Sequence, residues 1–150
     1  MSETTPQPPS SPRFAWSLAT RPVWQVGVLA TLAGAVVTEG FTLVARGAGV
    51  PMKAAGFGEK EATEIAVGGI ARSVVLWSIG GILLAVALAR WAKRPTRTFV
   101  VAAVAFTVLS LTAPAAATQT TVSTQVILAA SHVVAAAVII PILARRLSCT

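Results

Sequence analysis

Aspartate and tyrosine are absent from this chain, histidine and cysteine occur once each, at His132 and Cys149, and only 11% of its 150 residues are charged. Each shortage excludes some chemistry. A lone cysteine allows no intrachain disulfide, and one histidine with one cysteine cannot build a multi-ligand metal centre within a single chain. A Ser-His-Asp triad cannot be assembled without aspartate. No nucleophile stands beside an evident base, so the sequence reads as a non-enzyme with neither cofactor nor metal.

What the chain does have is apolar surface: hydrophobic residues make up 55% of it and its mean hydropathy is +0.76. That is too apolar for an ordinary soluble domain. The net charge of +7 would suggest nucleic acid in a soluble chain, but here the charges gather beside the apolar runs, which points to membrane orientation and no nucleic-acid partner.

Four apolar runs, at about 23–44, 73–89, 98–113 and 122–144, approach the roughly 20 residues that a helix needs to cross a bilayer. Residues 1–21, rich in Pro, Ser and Thr, lack a signal-peptide apolar stretch and read as a disordered cytoplasmic tail. Residues 22–147 form the four-span domain, and 148–150 the C-terminal end. The expected fold is all-α, an integral membrane antiparallel four-helix bundle. The connection between the first two runs mixes turn residues with charge, and part of it is expected as an interfacial helix or an extension of the second span.

The basic residues orient the bundle. Arg13, Arg21, Arg90, Lys93, Arg94, Arg97, Arg145 and Arg146 fall on one side, and Arg46, Lys53, Lys60 and Arg72 on the other. The positive-inside rule then places both termini in the cytoplasm of a cell with this protein in its inner (plasma) membrane, with Trp24 and Trp91 at the interface.

Helical spacing gives each span a small or polar stripe expected to face inward: Thr31, Ala35, Glu39 and Thr42; Ser78, Gly81 and Ala85; Ala103, Thr107, Ser110 and Pro114; and Thr121, Gln125, Ala129, His132 and Ala136. Gly80 and Gly81 read as a helix-packing contact. Pro141 lacks a backbone donor and is a candidate kink. Glu39, Arg72, Ser110 and His132 form the candidate intramembrane polar cluster. Glu39 has two readings there. It is a structural residue bridged to Arg72 or bonded to Thr42 and Ser110, or it is a proton or cation site, since buried ionisable groups in spans commonly mark pathways.

From "ARGAGVP" through "TVLSLTAP" to "SHVVAAAVIIPILARRL" the chain resembles a group of small four-span actinobacterial membrane proteins that form a domain of unknown function. The resemblance implies fold and location and carries over no catalytic residue. Small multidrug-resistance exporters also have four spans and a glutamate in the first, but here Glu39 lies near the outer end, the first external connection is long and Trp77 is the one aromatic of the second span. The leading expectation is a scaffold or accessory subunit of a membrane complex, with the lipid bilayer and either a second copy or another membrane protein as partners. The alternative is a small oligomeric proton-coupled transporter or channel using Glu39.

Overall fold

The computed structural model describes residues 20–55, 61–116 and 120–150. The expected tail therefore lies outside the described residues, apart from Thr20 and Arg21. The elements are α1 (Val23–Gly47), β1 (Lys53–Ala54), β2 (Thr63–Glu64), α2 (Gly69–Trp91), α3 (Pro95–Ser110), α4 (Thr112–Ala116) and α5 (Val122–Leu147). Four helical stretches, with α3 and α4 counted together, are long and apolar enough to cross a membrane.

The bundle is built around α1. Of its most apolar stretch 39% is buried inside the protein, against 6% for α2 and 11% for each of the other two spans. It packs chiefly on α2 and α5, while α3 sits across the bundle and touches α5 and α2. The reason lies in the side chains that α1 turns inward: Val26, Gly27, Ala30, Thr31, Gly34, Ala35, Thr38, Thr42 and Ala45 are all buried. These recur at three- and four-residue steps, and all are small, so two neighbouring helices approach one face closely.

The closest approaches occur at Gly27 and Gly34. A Cβ built on Gly27 would stand 2.8 Å from Cγ1 of Ile82 on α2, and one on Gly34 would stand 2.8 Å from Cγ1 of Ile139 on α5. Gly80 and Gly81, expected to make such a contact, have nothing within 4 Å of the corresponding position. The stripe on α2 is correct at Ala85, which is fully buried, and its glycines face open space instead of a neighbouring helix.

The stripe expected on α5 is rotated by about one residue. Thr124, Ser131, Leu143 and Leu147 are the buried positions, while Gln125, Ala129, His132 and Ala136 are half-buried beside them and Thr121 is exposed. Large residues fill the seam at this level, because Val23, Ala85, Phe99, Leu143 and Leu147 form the apolar core at one end of the bundle. Ranking positions by small size therefore missed the face that α5 buries there. Pro141 does not end α5, which continues to Leu147.

The span boundaries shift for local reasons. The second helix starts four residues ahead of Ser73, at Gly69, as the expected extension. No interfacial helix occurs in the described part of the first connection; Lys53–Ala54 instead pairs antiparallel with Thr63–Glu64. The third run splits after Ser110 into α3 and the short α4, and Pro114, the last residue of the expected inward stripe and just past the run's expected end at about 113, is buried within α4.

Candidate functional site

Glu39 faces the start of α2. Its Oε1 accepts the amide N–H of Gly68 at 2.7 Å, and its Oε2 accepts that of Ala71 at 3.0 Å. The first amides of any helix lack partners within the helix, and a side chain of the preceding residue usually takes one or two of them. Here that preceding residue is Gly68, which has no side chain to offer and sits at φ 82, in the left-handed region that glycine tolerates. Glu39 takes over the role from a different helix. Two amides and the positive end of the α2 dipole meet its charge, which answers the cost of placing a carboxylate inside a span.

Two turns further along α1, Arg46 holds the same descending segment. Its guanidinium donates to the Ile65 carbonyl and lies 3.5 Å from Oε1 of Glu64. Seven residues on a helix cover about 10 Å, so Arg46 and Glu39 grip the chain at two levels as it runs from β2 down into α2. The hairpin is tied in further by the Ile65 amide, which donates to the carbonyl of buried Met52 at 2.9 Å, and by the Ala55 amide, which donates to Thr120 Oγ1 at 3.3 Å.

The other residues of the expected polar cluster bond within their own helices. Ser110 donates to the Thr107 carbonyl at 2.7 Å. The His132 ring contacts the Leu128 carbonyl at 2.7 Å through Nδ1; since a carbonyl only accepts, Nδ1 carries the hydrogen. Arg72 is exposed, and the one ion pair among the described residues is Arg46 with Glu64. The bridge expected between Glu39 and Arg72 is thus replaced by bonds to backbone amides near Arg72. Thr42 donates to the backbone carbonyl of Glu39, not to its carboxylate. Deeper on the same face of α1, the Thr31 and Thr38 hydroxyls are buried with no hydrogen-bond partner.

The sequence contained a signal for this arrangement. Glu39 and Arg46 are opposite charges seven residues apart, on one helix face, ahead of a glycine-led helix start. Side-chain charge points to a side-chain partner, whereas the acceptor is met by the uncapped amides at Gly68 and Ala71. Among the described residues no group of three or more His, Cys, Asp or Glu is placed to hold a metal ion.

No curated protein and no solved structure matches the chain. The family of unknown function DUF6069 matches residues 18–149, a stretch that takes in all four spans as well as both Glu39 and Arg46. This membrane protein of four apolar helices, the first fastened to the second through Glu39, belongs to the DUF6069 family.

Proposed function

We propose that the protein is a non-enzymatic scaffold or accessory subunit of a membrane complex. The observation that carries this reading is the use made of Glu39: both carboxylate oxygens are engaged by amides of the α2 start, so the one acidic side chain within a span serves the fold. In agreement, α2 and α3 turn large apolar side chains outward, including Trp77 and Phe106, whose ring centroids lie 6.4 Å apart. Such a face suits lipid or a second membrane protein.

A transport role has its own supporting observation, the unpartnered Thr31 and Thr38 hydroxyls inside the bundle on the face that carries Glu39. Proteoliposomes decide between the two readings. Under an imposed pH gradient the purified protein is expected to pass no protons above the level of empty vesicles. A flux that Glu39→Gln abolishes in a folded protein would replace the scaffold reading with the transport one.

The same proposal places the protein in the plasma membrane with both termini cytoplasmic. Exposed Cys149 is then expected to resist an impermeant thiol reagent in intact cells and to react once the membrane is permeabilised. Labelling in intact cells would reverse the orientation.

A further inference from the structure

The end of the bundle opposite the Glu39 site is strongly cationic. Arg21, Arg90, Lys93, Arg94, Arg97, Arg145 and Arg146 all lie at the helix ends there, whereas the described acidic side chains, Glu39, Glu61 and Glu64, belong to the other end. Between the start of α3 and the end of α5 this surface is indented by an open cavity of about 450 Å³, bordered by Arg94, Thr96, Arg97, Leu147 and Ser148. The guanidinium groups of Arg94 and Arg97 have no hydrogen-bond or ion-pair partner among the described residues. No side chain caps the α3 start, where Pro95 has no N–H. At the same end but outside the cavity lining, Arg146 donates through Nε to the Arg21 carbonyl at 2.7 Å.

We infer that this cavity binds the phosphate headgroup of an anionic phospholipid. Depth selects the occupant. Trp24 and Trp91, both largely exposed, flank the same end, and tryptophans at helix ends sit at headgroup level. Arg94 and Arg97 offer forked donors to phosphate oxygens. A lipid with net negative charge fits, while the choline of a zwitterionic lipid would be repelled by the surrounding cations. From the cavity end toward the bilayer core, α3 exposes Val101, Val104, Phe106 and Val108, an apolar surface of the kind acyl chains cover.

The test measures retention of headgroup-labelled phosphatidylglycerol by the full-length protein in phosphatidylcholine nanodiscs, with inorganic phosphate as competitor. Wild type is expected to prefer phosphatidylglycerol over phosphatidylcholine, and millimolar phosphate is expected not to displace it. Arg94→Gln with Arg97→Gln should weaken binding by at least about tenfold, as expected for losing charge-assisted bonds. Arg90→Gln with Lys93→Gln removes the same charge from the same end outside the cavity and should change binding by less than about threefold. Equal losses in the two pairs would mean diffuse attraction and overturn the site. Displacement by phosphate would identify a free-anion site and overturn the lipid assignment. Lack of preference in wild type would overturn the proposal without recourse to any variant.

Discussion

Glu39→Ala is expected to lower stability in detergent by about 2–4 kcal/mol, since it leaves two amides at the α2 start without their acceptor and removes charge-assisted bonds at 2.7 and 3.0 Å. Glu39→Gln should cost roughly half as much, because its amide oxygen still accepts one N–H while its NH₂ group opposes the other. Thermal unfolding monitored by circular dichroism reads the loss, and amide exchange at Ala71 should rise in both variants. Arg72→Gln should change stability by less than about 0.5 kcal/mol, and its effect should add to that of Glu39→Gln. A coupling above about 1 kcal/mol in that cycle would mean that the carboxylate is held by the guanidinium and not by the backbone.

The second large effect is expected at Gly34. Valine there would bring its Cβ to 2.8 Å from Cγ1 and 2.9 Å from Cδ1 of Ile139. No χ1 rotation moves the Cβ itself, so Ile139 must leave its rotamer or α1 and α5 must separate, and the two γ-methyls of valine add to the crowding. The expected cost is about 2–3 kcal/mol, with partial recovery when Ile139→Ala is added. Gly81→Val serves as the counterpart: its Cβ meets nothing within 4 Å, and the change should stay within about 0.5 kcal/mol. Equal damage at the two glycines would show that the open face of α2 is occupied in the folded protein.

These two predictions mark where the sequence was legible. Hydropathy reveals a span because twenty apolar residues can do little else, and the small inward face of α1 follows directly from the spacing of Thr31, Ala35 and Thr42. Choosing between Gly34 and Gly81 was another matter. Both are glycines in apolar helices, and only the crossing of α1 over α5 makes one of them a contact. The same limit applied to Glu39. Its depth and its need for compensation could be read from the chain, but its partners are main-chain N–H groups, which every residue possesses and no residue letter announces. On α5, small size pointed to Ala129 and Ala136, while the buried positions at the basic end were set by Leu143 and Leu147 filling the space around Phe99.

The bond between Glu39 and the start of α2 also bears on how the chain enters the bilayer. During synthesis Glu39 emerges from the ribosome about thirty residues ahead of Gly68 and Ala71, the residues that receive it. Until those residues follow, the carboxylate lacks the two amides that meet it in the folded protein, and α1 carries the cost of an uncompensated charge. Once α2 has formed, its amides answer that charge. The compensation of Glu39 is therefore complete only when the first two helices stand together as a hairpin.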